Sequence, residues 1–303
     1  MADLQGKVAV VTGGSNGIGR GIARAFARAG MTVVVTGRTQ RHLDDTVELF
    51  AAEGLEAHPM AVDVTDLEAM HEAADEVERR FGRLDVLVNN AGIGLTGPVA
   101  AATPADWDWV IDVNIRGVGN GIQAFLPKIR SHGEGGYIVN TSSMAALMPI
   151  VAGLYSMTKA AVNALSEALH IELLDENISV SAYCPGPTHS NIAAGVTNRP
   201  EKYGPSGYAP PPASRINPTE LPPYMSAEEA GERVLQGMLR RDMFILTHPE
   251  FKEGVVARHR TIEDAFPIEP INEERASAIP FLTHSPVYEE ENRLPSPTPP
   301  PGV

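Results

Sequence analysis

The sequence predicts a doubly wound α/β fold built on a parallel sheet. Three observations carry this. Short apolar runs alternate with amphipathic helical stretches between Lys7 and Tyr183, six times over. The first run, Lys7 to Val11, ends in Thr12-Gly13-Gly14-Ser15-Asn16-Gly17-Ile18-Gly19 and passes directly into a helical pattern. Gly13, Asn90, Ser143 and Pro185 each follow a predicted strand. Ligands bind beyond the carboxyl ends of the strands in such sheets.

The helix after the glycine turn carries Ile22, Ala23, Phe26 and Ala27 on one face. Glycines let the backbone approach a pyrophosphate, and the helix N-terminus supplies N–H donors. Gly13, Ser15, Asn16, Gly17, Ile18 and Gly19 are therefore candidate cofactor contacts. Thr32 to Thr36 is the second strand, followed by Gly37-Arg38-Thr39. An acid here would accept from a ribose 2′-OH and repel a 2′-phosphate. None is present, and the Arg38 guanidinium suits a phosphate. Arg41 can assist from the next helix turn. NADP(H) is expected over NAD(H), which stays the alternative.

Thr46 to Glu53 reads as the second helix and Ala57 to Val62 as the third strand. Asp63 follows, either to accept from an adenine amino group or to cap the turn. Asp66 is an N-cap for a helix running to Phe81. Asp85 to Val88 is the fourth strand, ending in Asn89-Asn90-Ala91-Gly92. Small residues there let a flat ring and a ribose lie against the backbone. One helix is expected from Pro104 to Ile129, with Asn114 near its middle, where asparagine is locally unfavourable. Gly117, Gly119 and Gly121 loosen it further. Either a kink aims Asn114 or its carbonyl inward, or the small residues serve close packing.

Gly136 to Thr141 is the fifth strand and runs into Ser142-Ser143. Tyr155 and Lys159 then stand one turn apart on one face of a helix reaching Leu173. A nearby cation favours phenolate and lowers a tyrosine pKa. Alone, the pair also fits a core tyrosine beside a solvated lysine. Ala160, Ala161, Ala164, Ala168 and Leu169 form an Ala-rich face suited to packing against a copy, so a homodimer or homotetramer is expected. Ile178 to Tyr183 is the sixth strand. Thr188 to about Pro223 is rich in proline, glycine, serine and asparagine, too long for an ordinary connection, and is read as a substrate lid (about 188–225). Ser226 caps a helix from Ala227 to Arg240, and Met243 to Leu246 is the last strand. His248 after it either reaches a ligand or is satisfied in its loop. The single domain is set at 1–262. A Pro-rich tail takes 263–303, its end extended or disordered and its earlier part able to pack on a neighbouring subunit.

With 303 residues and 43% hydrophobic content the chain can fill one large core. A formal charge of -14 without any Lys/Arg block argues against a nucleic-acid partner. Cys184 is the sole cysteine, so no internal disulfide and no cysteine-based metal cluster is expected, and no metal site is assigned. It reads as a small buried hydrophobe. No apolar run approaches membrane-spanning length, and MADLQGKVAVVTGG lacks the regions of a signal peptide. The expected location is cytoplasmic, away from membranes.

TGGSNGIG, NNAG, Asn114, the double serine, YSMTK and PGPTHSNI occur in that order. Together they resemble the short-chain dehydrogenase/reductase family over roughly the first 190 residues plus the helix and strand after the lid. The resemblance implies a Rossmann fold, a nicotinamide cofactor and a centre of Ser143, Tyr155 and Lys159 with an auxiliary Asn114 that positions a water. It also implies cofactor contacts at Val64, Ala91, Gly92, Pro185, Gly186, Thr188 and Ser190. In the family the serine usually lies thirteen positions before the tyrosine, which selects Ser142; the pattern N-x-S-S-x-A selects Ser143 and a one-residue deletion. Ser143 is taken, because strand geometry fixes which side chain faces the site. Within the lid, SNI and RPEKYGPSGY resemble the Cα-dehydrogenases that oxidise benzylic alcohols of lignin-derived aryl ethers. Those carry an acid after the second strand and use NAD; here Gly37 takes that place. The expected reaction interconverts a secondary alcohol, aromatic by that likeness, and a ketone. Two other readings are a cofactor-sensing binding protein, which would dispense with Tyr155 or Lys159, and an acyl-type ketoreductase, which would need a basic surface for an acidic carrier.

Overall fold

The computed structural model describes residues 4–192, 195–209 and 223–289. Seven strands form one parallel sheet: β1 (Val8–Val11), β2 (Thr32–Gly37), β3 (His58–Ala61), β4 (Val86–Asn89), β5 (Gly136–Thr141), β6 (Ile178–Cys184) and β7 (Phe244–Leu246). Their order is β3-β2-β1-β4-β5-β6-β7. The chain winds outward from β1 to β3, then returns across β1 to start β4. That reversal leaves a crevice at the carboxyl ends of β1 and β4.

Alternation along each strand sorts side chains into two cores. Val8 and Val10 face one layer with Leu87, Ile138 and Val180. Ala9 and Val11 face the other with Val33, Val35, Val88 and Tyr183. Helices α1 (Gly17–Arg28), α2 (Gln40–Ala52) and α8 (Ala227–Arg240) bury Phe26, Phe50 and Met238 on the second side. Helices α3 (Leu67–Phe81), α5 (Gly117–Arg130) and α7 (Gly153–Leu173) bury Met70, Phe125 and Leu169 on the first.

Three expectations change. Helix α2 starts at Gln40, six residues before the predicted Thr46, which puts Arg41 in its first turn. Thr39 precedes it without a side-chain capping bond, so no local signal marked the start. The single helix from Pro104 to Ile129 is instead α4 (Pro104–Ile111), a π-turn (Asp112–Arg116) and then α5. The predicted tail contains ordered elements: α9 (Lys252–Glu263) crosses the 262/263 boundary, and α10 (Glu273–Ala278) follows. The expectation about the tail's last residues lies outside the described residues.

A short helix, α6 (Met144–Leu147), follows β5. The segment expected to be a lid, of which 193–194 and 210–222 lie outside the described residues, is stapled at its two ends. His189 N donates to Met225 O at 3.0 Å, and Met225 N donates to Pro187 O at 3.1 Å. Among the described residues, no helix is long and apolar enough to cross a membrane.

Candidate active site

A cleft of about 1180 Å³ opens at the carboxyl edge of the sheet. Single small-molecule pockets run to roughly 300–1,000 Å³, so there is room for a dinucleotide beside a substrate. Every residue predicted to touch the cofactor lines this cleft, and so do Ser142 and Ser143. Asn114 does not line it; it stands behind the wall, fully buried.

The glycine turn leaves β1 with Gly13 at φ +63° and Gly17 at φ +48°, backbone angles that a side chain would strain. A Cβ on Gly13 would stand 2.9 Å from the Ala91 Cα. Asn16 caps α1 by accepting from Gly17 N at 2.7 Å. The amides of Ile18 and Gly19 lie in that first turn, where helices lack internal acceptors and favour anions. Thr12 ties the turn to β4: its Oγ1 accepts from Asn90 N at 2.9 Å and Ala91 N at 3.0 Å. Asn90 in turn donates from Nδ2 to Thr12 O at 3.0 Å. The Asn90 side chain thus serves the loop's shape. Asp63 accepts from Thr65 N and Thr65 Oγ1 at 3.0 and 2.9 Å, so it caps the turn while lining the cleft. This cradle of bare backbone, amides and a helix start fits a pyrophosphate.

Next to β2 the cleft is bordered by Ser15, Arg38, Thr39 and His42. A Cβ on Gly37 would collide with the Ser15 hydroxyl, so this strand end is filled by Ser15 where an acid would stand. Pro185, Gly186, Thr188 and Ser190 border the opposite side.

On the chemical side, Tyr155 is half-buried in the wall and Lys159 is buried. Lys159 Nζ lies 5.7 Å from the Tyr155 ring centre and donates to Thr141 O at 2.7 Å. Burial pulls the Lys159 ammonium down to about 8. Burial also pushes the Tyr155 phenol above its ordinary value, against the pull of its hydrogen bond with Ser143. The expectation of a lowered tyrosine pKa is therefore corrected: the protein alone desolvates the phenol more strongly than it stabilises phenolate. The two serines separate clearly. Ser143 Oγ lies at the cleft, accepts from Ala145 N at 3.1 Å and meets Tyr155. Ser142 Oγ is turned inward and donates to Lys159 O at 2.7 Å.

Asn114 sits in the π-turn, a local widening of the helix of the kind often found at functional sites. Its Oδ1 accepts from Ile93 N at 2.9 Å, and its Nδ2 donates to Ile93 O at 3.0 Å and Thr158 Oγ1 at 3.1 Å. Both amide hydrogens are thus committed to protein, while Oδ1 keeps one acceptor position beyond its bond to Ile93 N. Cys184 is buried, and burial pushes its thiol up to about 12, as expected of an inert hydrophobe. His248 contacts Thr247 Oγ1 at 2.6 Å and stacks on Phe251, which satisfies it in its loop.

Sequence reasoning missed the apolar end of the cleft. Met148, Ile150, Ile192, Tyr224 and Phe251 form it, and Phe251 comes from the turn just before α9. It also missed Thr12, Thr39 and His42. Thr12 was visible as the first letter of the glycine motif, but its role depends on β4 being its neighbour.

The model of the short chain dehydrogenase family matches residues 7–201. A C alpha-dehydrogenase from Sphingobium sp. is 36% identical over 268 residues, covering 88% of each chain. A solved short chain dehydrogenase/reductase from Burkholderia phymatum, in complex with NAD, matches with a TM-score of 0.78 at 30% identity, over 90% of this chain and 100% of that one. A metagenomic short-chain oxidoreductase in complex with NADP matches with a TM-score of 0.58 at 37% identity, over 61% of this chain and 84% of that one. With the glycine cradle and the Ser–Tyr–Lys wall on one cleft, these matches place the chain in the short-chain dehydrogenase/reductase family, as an oxidoreductase that uses a nicotinamide cofactor on CH–OH groups.

Proposed function

We propose that the chain interconverts an aromatic secondary alcohol and its ketone with NADP(H), Tyr155 serving as acid and base. The observation that carries this reading is the shared wall: Ser143, Tyr155 and Lys159 border the same cleft as the glycine turn. A bound nicotinamide supplies the acceptor of the carbinol hydride in oxidation and its donor in reduction. Tyr155 takes the hydroxyl proton in oxidation and gives a proton to the carbonyl oxygen in reduction. Ser143 donates to that oxygen and stabilises its developing charge. Lys159, cationic below about pH 8, opposes the desolvation of the phenol and favours its ionised form. Asn114 holds the Ile93 turn and, through Thr158, the helix that bears Tyr155 and Lys159.

The choice of NADP(H) is supported by Arg38, Thr39 and His42 around an acid-free strand end. The aromatic substrate is supported by the apolar end of the cleft and by the relative's name. A homo-oligomer belongs to the same proposal, supported by an exposed stripe of Met157, Ala160, Ala164, Ala168 and Ile171 on α7.

The test follows absorbance of the reduced cofactor, with NADP and NAD separately, across aromatic and aliphatic secondary alcohols and their ketones. The expected outcome is turnover of aryl carbinols with NADP preferred. Tyr155→Phe should lower kcat by about 10²–10⁴-fold and leave cofactor affinity intact. Full activity in that variant would refute the tyrosine assignment, and a preference for NAD would refute the reading of Arg38.

A further inference from the structure

The segment 195–209 does not hang free over the cleft. One buried carboxylate gathers it. Asp106, at the third position of α4, accepts from Thr103 N and Thr103 Oγ1 at 2.9 Å each, which closes the capping box of the helix. The same carboxylate accepts from Ser206 Oγ at 2.7 Å, from Gly207 N at 2.9 Å and from Arg199 Nη1 at 2.5 Å. Its side chain is 0% exposed and that of Arg199 is 6% exposed, so neither charge has water as a substitute partner. The Arg199 guanidinium lies 5.1 Å from the Trp109 ring centre and donates from Nη2 to Tyr203 O at 3.2 Å. Tyr203 donates to Asp112 Oδ2 at 2.9 Å, and Tyr208 donates to Pro98 O at 3.2 Å. A Cβ on Gly207 would collide with the Ala101 carbonyl, so the segment lies directly on the protein backbone.

Ile192 and the near end of this segment form part of the cleft. Ile192, Gly195 and Asn198 line it, and Asn198 stands one residue before Arg199.

We propose that the Asp106–Arg199 pair is a latch that docks residues 195–209 onto α4 and thereby fixes the Ile192, Gly195 and Asn198 wall, which makes Arg199 a positioning residue for the substrate. Arg199 touches no reacting atom. It sets how well formed the wall is before the alcohol arrives. The proposal rests on the alcohol–ketone reading of the cleft. A buried pair is suited to the task because removing one partner leaves the other charge uncompensated, so the docked and undocked states are well separated.

The experiment uses the full chain as Arg199→Met, Arg199→Lys and Asp106→Asn. With the best aryl carbinol from the panel, Arg199→Met should raise KM about tenfold or more while kcat changes by less than about threefold. Cofactor affinity should stay at the wild-type value, and Arg199→Lys should recover part of the KM. Chymotrypsin reads the latch without turnover: Tyr203 and Tyr208 are buried in the docked segment. Both single-charge variants should be cut there under native conditions while the wild type resists. A KM within about twofold of wild type, or equal loss in kcat and cofactor affinity, would overturn the positioning role. Unchanged resistance to chymotrypsin in Arg199→Met and Asp106→Asn would overturn the latch itself. If the wild type turns over no alcohol or ketone, the alcohol–ketone reading fails, and the proteolysis still decides the latch.

Discussion

At Lys159 a cation is held where its charge is costly, and the cost has a pH signature. Burial lowers its pKa to about 8, from 10.5 in an unfolded chain. Between those values the unfolded chain binds a proton that the folded one has released, so stability rises with pH across the window. Below pH 8 both states are protonated and the full penalty applies. Tyr155 and Cys184, raised by burial, act in the opposite sense only above their ordinary values of 10.0 and 9.0. Urea unfolding between pH 8 and 9 should therefore show stability rising by about 1 kcal/mol per pH unit. Lys159→Met buries no charge and should lose that rise. At this scale the sequence pointed to the serine, tyrosine and lysine that the fold gathers on one cleft, because their types and order along the chain are local features. The direction of the Tyr155 shift was not legible, because desolvation depends on what packs around the phenol.

The elements carry the site through a few bonds at their ends. The π-turn between α4 and α5 places Asn114 so that its amide bonds Ile93 twice and Thr158 once. Asn114→Ala leaves Ile93 N and Ile93 O buried without partners. Each such group costs about 1–3 kcal/mol, so the variant should lose about 2–6 kcal/mol in urea denaturation and lose turnover with it. The strands and most helices were legible because their apolar runs and periodicities are local. Helix α2 began unannounced because Thr39 makes no cap. The π-turn left only an indirect trace, an asparagine followed by three glycines, since one extra residue in a helical turn has no compositional mark of its own.

Among the described residues, those that line the cleft end well before the tail. The last of them is Gly254, in the first turn of α9. The described part of the tail beyond α9 meets the outer side of α7, where Tyr288 donates to Glu167. A chain stopped after Glu263 should therefore bind the nicotinamide cofactor within about twofold of the full chain in a fluorescence titration. The contribution of Phe251 to the cleft could not be read in advance, because it depends on how the chain leaves β7. The staple between Pro187, His189 and Met225 has a consequence for how such a protein can change. The chain leaves the sheet and comes back to it at a single crossing, with the two ends fixed by backbone bonds that no side chain supplies. Side chains between these bonds can therefore be replaced without undoing the closure of the segment's two ends on the sheet edge.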